Sequence, residues 1–244
     1  MPIDAQLNEV FADLAEVLVS DFDLADLLHR LAGASVRVSD AVGAGIVVVD
    51  QQGRLRDVAY SSEDVRRLER FQLEYEEGPC VACHAGGQSV HEPDLAAAAV
   101  RWPRFVPRAT AMGVRSADAL PLRMQGRTVG ALNLFHAEVG PTPPAKLRAV
   151  QALADLAMLG IVQHGSGTTS VRSVQASVRD ALSDRSMIER AKGMLAEHGQ
   201  LTMDEAFLRL LRYAELNATG LTQTAAELSR TPGHAATVLA ATAG

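Results

Sequence analysis

Two cysteines and a histidine stand close enough together to do chemistry. The run Cys80-Val-Ala-Cys83-His84 has the spacing of a c-type haem attachment site, in which two thioethers and an imidazole hold the porphyrin. Covalent haem attachment ordinarily requires export, and the N-terminus lacks the basic start and apolar stretch of a secretory signal. The pair Cys80 and Cys83 is therefore interpreted as a dithiol redox switch or as simple packing, since a CxxC pair at a helix N-terminus can have a lowered thiol pKa. His91 could join His84 as a metal ligand, but a segment this short is weak evidence for a metal site, and none is expected.

Basic residues in the C-terminal quarter form a second candidate group. Arg185 and Lys192 are seven residues apart, which on a helix places them about 10 Å apart on the same side, and this spacing could straddle a nucleic-acid backbone. Gly193 costs a helix about 1 kcal/mol relative to Ala, so close approach of a partner helix or of RNA should need the missing side chain. The alternative is a solvated charged face with a packing glycine, and the residues alone favour that alternative.

An aromatic and an amide accompany further arginines on the next helical segment. Tyr213 and Asn217 lie near Arg209 and Arg212, a combination that suits recognition of unpaired RNA bases by stacking and by hydrogen bonds to base edges. Tyr213 could instead be a half-buried packing residue.

Charge and composition exclude several functional classes. The chain has a formal net charge of -6, but from Val171 onward its basic and acidic residues balance, so a nucleic-acid binder there must gather its basic groups on one face. There is no Gly-rich phosphate loop, nucleophile elbow or His-rich metal signature, so no enzyme activity and no cofactor are expected. No apolar stretch approaches the roughly 20 residues that span a bilayer, and a cytoplasmic location is expected.

The elements that position these residues indicate mixed α and β structure. One or two opening helices are followed by a hairpin of Ala44–Asp50 and Leu55–Tyr60, and a second hairpin pairs Ser116–Arg123 with Thr128–His136. An apolar helix at Ala145–His164 completes this part.

The rest of the chain reads as three helices behind a linker. The linker is Gly165–Ser170, and the helices are Val171–Glu197, Met203–Asn217 with a capping box beginning at Thr202, and Gln223–Ser229 opened by Thr222, with a frayed or weakly helical tail. A 3-4 repeat could form a short coiled-coil seam and a homodimer through Val171, Val174, Val178, Arg185 and Ile188.

The C-terminal pattern resembles the ANTAR domain, the RNA-binding module of bacterial transcription antiterminators. The resemblance runs over about Val178 to Ser229 and rests on the run Arg185–Leu195, on Leu201–Phe207, and on Leu210-Leu-Arg212, Asn217, Leu221 and Ala225-Ala226. It implies dimeric binding to paired hairpins of nascent RNA, with Ala191, Lys192 and Gly193 as the motif core. Ala196 and Ala214 depart from the residues that are frequent in the family.

The N-terminal part is similar to a GAF domain. The matching residues are Glu77–Cys80, Pro93–Leu95, Arg101–Phe105, Gly113–Ser116, Leu120–Leu122 and Val129–Leu134. The resemblance implies an antiparallel sheet between helices and a small-molecule effector held beneath loops on one sheet face. It also gives Cys80 a common packing position, and because a phosphoaspartyl receiver pattern is lacking, the trigger should be a ligand, a redox change or a protein partner.

These observations together predict an α+β protein with a GAF domain over residues 8–164, a linker and coiled segment over 165–177 and an all-α ANTAR domain over 178–232. The predicted function is a signal-responsive regulator that binds paired RNA hairpins and acts by transcription antitermination. The predicted RNA-binding residues are Arg185, Arg190, Ala191, Lys192, Gly193, Arg212, Tyr213 and Asn217. The alternatives are a redox-sensing regulator that binds protein, with Cys80 and Cys83 as the redox pair, and a GAF-type methionine sulfoxide reductase.

Overall fold

An antiparallel sheet organises the N-terminal part of the chain. The computed structural model describes residues 3–19, 22–164, 171–231 and 233–242, and within them one sheet of five strands is formed in the order β2-β1-β5-β4-β3. The strands are β1 (Gly43–Val49), β2 (Leu55–Tyr60), β3 (Val90–Glu92), β4 (Ser116–Met124) and β5 (Arg127–His136). Both predicted hairpins are confirmed, as β1 with β2 and β4 with β5.

Helices cover both faces of this sheet. They are α1 (Ile3–Val19), α2 (Leu24–Ser39), α3 (Glu63–Tyr75), α4 (Pro79–Gly86), α5 (Phe105–Ala111) and α6 (Pro144–His164), with a 3₁₀ helix at Leu95–Ala98. Because side chains alternate along a strand, Ile46 and Val48 pack with α2 and α6, whereas Val47 packs on the other side with Cys80 and Cys83 of α4. The β strands therefore separate two layers of core, as the α+β prediction requires.

Four helices make up the C-terminal part. They are α7 (Val171–Gly199), α8 (Met203–Leu216), α9 (Leu221–Arg230) and α10 (His234–Ala241). The predicted capping box is present at α8, where Thr202 accepts the backbone N–H of Glu205 and the Glu205 side chain accepts the N–H of Thr202. The four helices bury a core that includes Ile188, Ala191, Leu195, Leu210, Ala225 and Leu228.

The tail forms a helix, α10, with Ala235 and Val238 fully buried in the C-terminal core, in line with the helical alternative for this segment. The predicted start of the third helix was wrong. The third helix begins at Leu221, two residues before the predicted start, and Thr222 is not its cap. The backbone N–H of Thr222 instead donates to Asp23 Oδ2 at 2.7 Å. Asp23, just before α2, therefore accepts one of the unpaired N–H groups in the first turn of α9.

The first turns of α7 do not present a free seam. Val174 and Val178 are buried and join the apolar core between the sheet, α2 and α6, which explains their spacing without a partner chain. The predicted linker Gly165–Ser170 lies outside the described residues. Within the part of the chain that the structure describes, no helix is both long enough and apolar enough to cross a bilayer.

Candidate nucleic-acid interface

The predicted RNA-binding residues of α7 lie on two different sides of that helix. Successive residues turn by about 100°, so Lys192 falls almost directly above Arg185, whereas Arg190 lies on the opposite side. The structure follows this geometry: Arg185 and Lys192 face the N-terminal domain, and Arg190 and Gly193 face solvent. One surface therefore does not hold all the predicted residues at once.

Lys192 is buried against the N-terminal domain. Its side chain is only 1% exposed, and its ammonium pairs with Glu63, at the start of α3, and with Glu189 at 2.9 Å. It also donates to the Tyr60 hydroxyl at 3.1 Å, and Tyr60 in turn donates to Glu189. The charge of Lys192 is therefore compensated by two carboxylates and a phenol, one carboxylate from each domain.

Arg185 makes a second ionic contact with the same domain, three residues before Tyr60 on β2. Its guanidinium lies 2.6 Å from Asp57 Oδ2 and also donates to the Asp57 backbone carbonyl at 2.6 Å, and its side chain is 14% exposed. Asp57 belongs to β2, as does Tyr60. We call the set Asp57, Tyr60, Glu63, Arg185 and Lys192, together with Glu189, the latch.

Contacts within the latch shift the pKa values of Glu189 and Tyr60 in opposite directions. Burial alone would raise the pKa of Glu189, but the hydrogen bond from Tyr60 and the charge of Lys192 outweigh burial, so its pKa lies below the usual range. Burial and the nearby charge of Glu189 raise the pKa of Tyr60, which keeps its proton and remains a donor. Each charge of the latch thus has a partner of opposite sign, which a buried ion requires.

Reciprocal helix caps extend the contact between the domains. Asp204 of α8 accepts the backbone N–H of Glu63 at 2.9 Å, at the first turn of α3. Asp23 caps its own helix α2 through Asp26 and reaches Thr222 of α9 with its other oxygen. The two domains therefore complete each other's helix ends, where unpaired N–H groups would otherwise need water.

The other predicted residues are either exposed to solvent or packed within the C-terminal part. Ala191 is fully buried in the C-terminal core, and Tyr213 is half-buried with its ring 5.6 Å from that of His234. Arg190, Gly193, Arg212 and Asn217 are exposed. A Cβ added at Gly193 would meet no heavy atom of the described residues within 4 Å, so no neighbour among them uses the space that the glycine leaves.

The cysteines are not placed for thiolate chemistry. Both belong to α4, and both are free thiols that are fully buried against the sheet. Burial raises the pKa of Cys83 to about 11, and burial together with the nearby Glu69 raises the pKa of Cys80 well above its usual value. His84 lies on α4 with them, whereas His91 pairs with Asp118 on another strand. These surroundings favour the packing interpretation, and the redox pair stays a prediction.

Sequence reasoning missed the residues that hold the candidate site, namely Asp57, Tyr60, Glu63 and Glu189. Glu189 precedes Lys192 by three residues, so their pairing on one helix face was available from the sequence. The contacts to Asp57, Tyr60 and Glu63 span about 130 residues of sequence, and no local pattern marks them.

Comparison with known proteins agrees with these two parts. The family model for the GAF domain matches residues 23–162, and that for the ANTAR domain matches residues 176–228. A search of the curated proteins found no match.

Solved structures share the N-terminal fold. The GAF domain of an Acinetobacter phosphoenolpyruvate-protein phosphotransferase is 13% identical, with 68% of this chain and 96% of that chain covered and a TM-score of 0.53. The corresponding Coxiella burnetii domain is 14% identical, with 68% and 97% covered and a TM-score of 0.52. The phycoerythrobilin-bound GAF domain of a cyanobacterial phytochrome is 15% identical, with 66% and 96% covered and a TM-score of 0.50. At such low identities these likenesses concern the fold alone.

Proposed function

Because this chain belongs to the GAF domain family and carries an ANTAR domain behind the GAF domain, we propose that it is an RNA-binding regulator whose RNA contacts are controlled by the GAF domain. In finer terms, it is a cytoplasmic antitermination regulator that binds paired hairpins of a nascent transcript. An effector of the GAF domain decides when it does so.

The observation that carries this proposal is the burial of Lys192 and Arg185 in the latch. Lys192 belongs to the motif core that the ANTAR resemblance implies, and here it cannot touch RNA. The described arrangement is therefore a closed state, and RNA binding through these residues requires the ANTAR domain to separate from β2 and α3. The GAF domain can then control RNA binding by changing the stability of the contact between the two domains.

A buried lysine contributes little net free energy to the contact between two domains. Desolvation offsets much of the attraction within a buried ion pair, and apolar residues of similar size often stabilise an interface as well or better. A lysine at this position is explained if the domains also separate, because the exposed ammonium of Lys192 can then contact RNA phosphates. The latch then combines the needs of two states in one side chain.

The exposed side of α7 supports a partner outside this chain. Gly193 in the helix interior costs about 1 kcal/mol relative to Ala, yet no neighbour in the described part of the chain occupies the space beside it. Arg190, three residues earlier, lies on the same exposed side. A ligand that approaches the helix backbone there, such as an RNA loop, would account for the glycine.

Separation of the two domains would also allow a dimer to form. Val174 and Val178 of the predicted seam are buried in the GAF core in the closed state. They become available to a second chain only when this end of α7 moves away. We propose that effector binding, opening of the latch and pairing of two ANTAR domains occur together.

The test is a titration of the full-length protein against an RNA that carries two short hairpins, with a loop-scrambled RNA for comparison. The expected result is preference for the intact loops, steep weakening with salt, and a salt slope smaller by about 1 in Lys192→Ala. Lys146→Ala is the matched control, because Lys146 pairs with Asp40 and neither residue belongs to the latch. Equal binding of both RNAs at every salt concentration, with and without reductant, contradicts the proposal and favours a protein partner.

A further inference from the structure

A cavity of about 610 Å³ lies between the two domains, beside the latch. Its walls are formed by α1 and α2, by the end of β2 at Tyr60, and by α8 of the ANTAR domain. This volume falls within the range of about 300–1,000 Å³ that is usual for small-molecule sites. The resemblance to GAF domains instead implies an effector held beneath loops on one face of the sheet, within the N-terminal domain alone.

Most of the cavity surface is apolar and comes from both domains. Val10 and Leu14 of α1 contribute one side, and Phe207, Leu208 and Leu211 of α8 contribute the other. Leu208 is 64% exposed, although it belongs to a helix that buries its apolar residues elsewhere. An apolar ligand that covers Leu208 would therefore remove surface from water that the protein alone leaves wet.

His29 supplies an unpaired acceptor in the cavity wall. Its Nδ1 lies 2.7 Å from the carbonyl oxygen of Ala25, and because a carbonyl can only accept, Nδ1 carries the proton. Burial lowers the pKa of His29 to about 4, so the ring is neutral and Nε2 has a free lone pair. Nε2 is buried and has no hydrogen-bond partner among the residues that the structure describes. The rings of Tyr60 and Phe207 flank it, at 5.4 and 5.0 Å between centroids.

The formal charges of the residues that line the cavity sum to zero. Glu9 and Asp13 face it from α1, and Arg30 and Arg37 face it from α2. Arg30 is already paired with Asp26 and with Glu215 of α8. The four formal charges, two negative and two positive, sum to zero, so the lining has no net charge to attract an ion and favours a neutral molecule.

We propose that this interdomain cavity binds a small neutral aromatic molecule that carries one N–H or O–H donor, with the donor directed to His29 Nε2. The rings of the cavity stack with the ligand, and the α1 and α8 side chains enclose it. Because the site exists only where α1, α2 and α8 meet, the ligand binds the closed state. Given the proposed function, such a ligand opposes RNA binding by holding the latch shut.

Indole is a suitable probe, since it is neutral, aromatic and carries one N–H, and indene is its counterpart without the donor. Calorimetric titration of the full-length protein should show saturable binding of one indole per chain and about tenfold weaker binding of indene. Leu208→Trp should weaken indole binding by at least about tenfold by filling the cavity from an exposed position. Leu216→Trp is the matched control, because Leu216 is similarly exposed on α8, at 62%, and does not line the cavity.

The readouts separate this inference from the function on which part of it rests. If the chain binds no RNA, the calorimetric comparison of indole with indene still decides the site. Where RNA does bind, indole should weaken it in the wild type and in Leu216→Trp but not in Leu208→Trp. Absence of saturable indole binding, equal affinity for indole and indene, or unchanged affinity in Leu208→Trp overturns the proposal.

Discussion

Removing the charge of Glu63 should release RNA binding without touching the RNA-binding domain. Glu63 is the GAF-domain carboxylate that pairs with Lys192, and its side chain is 13% exposed. Glu63→Gln keeps the length of the side chain and leaves Lys192 with Glu189 as its only carboxylate partner among the described residues. The free energy that holds the two domains closed should fall, and the ANTAR domain itself is unchanged.

The magnitude follows from the burial of the pair. Breaking a buried ion pair by removing one partner costs about 3–5 kcal/mol, and the lower end applies here because Glu189 still compensates part of the charge of Lys192. A change of about 3 kcal/mol alters the closed-to-open equilibrium by roughly 100-fold. The apparent affinity for RNA should improve by that factor, or by less if the open form becomes the major species first.

The assay compares Glu63→Gln with Asp64→Gln in the two-hairpin RNA titration. Asp64 is the next residue in the first turn of α3, and its carboxylate pairs with Arg67 at the surface. Both substitutions remove one negative charge near the same helix end, so the control accounts for general charge and helix-dipole effects. If Glu63→Gln remains folded by circular dichroism and binds RNA no better than Asp64→Gln, the latch does not restrain RNA binding.

Three further outcomes test other parts of the structure. Burial raises the pKa of Glu69 from 4.5 to about 8 against an opposing hydrogen bond from Asn133, so the unfolded chain loses this proton first and stability should fall by about 1.4 kcal/mol per pH unit between those values. Urea unfolding at pH 6 and pH 8 should show that this decline is absent in Glu69→Gln, and an identical decline contradicts the assignment. Gly193→Ala should stabilise the protein by up to about 1 kcal/mol while it weakens RNA binding, and unchanged RNA affinity would mean that nothing approaches the helix there. Alkylation of Cys80 and Cys83 at pH 8 should be slow in the folded protein and fast in urea, whereas rapid labelling of the folded protein would restore the redox interpretation.

Local patterns predicted the elements that depend on local interactions. The strand pair Ser116–Met124 and Arg127–His136 was visible from alternation and its short connection, and the α8 cap was visible from Thr202 and Glu205 alone. Periodicity also placed Val174 and Val178 on one helix face. It could not say whether that face meets a second chain or the core of its own GAF domain, since both bury the same side chains.

The site depended on contacts that local patterns do not contain. A lysine in a charged helix is normally exposed, so the sequence favoured a solvated face for Lys192. The structure instead brings Tyr60 and Glu63 to it from more than a hundred residues away. The predicted start of α9 was wrong for the same reason. Its first turn donates a hydrogen bond to Asp23, which lies 199 residues before Thr222 in the sequence.

The continuity of α7 limits how freely these two domains can be exchanged with others. Over 29 residues, or about 43 Å, the same helix contributes Val174, Val178 and Ala181 to the GAF core and Ile188 and Leu195 to the ANTAR core. An ANTAR domain grafted behind a different sensor would carry the first three apolar residues to a surface that has no groove for them. A functional transplant should therefore require the receiving domain to offer an apolar groove in the helical register of α7, so recombination of such regulators is constrained by the junction more than by either domain.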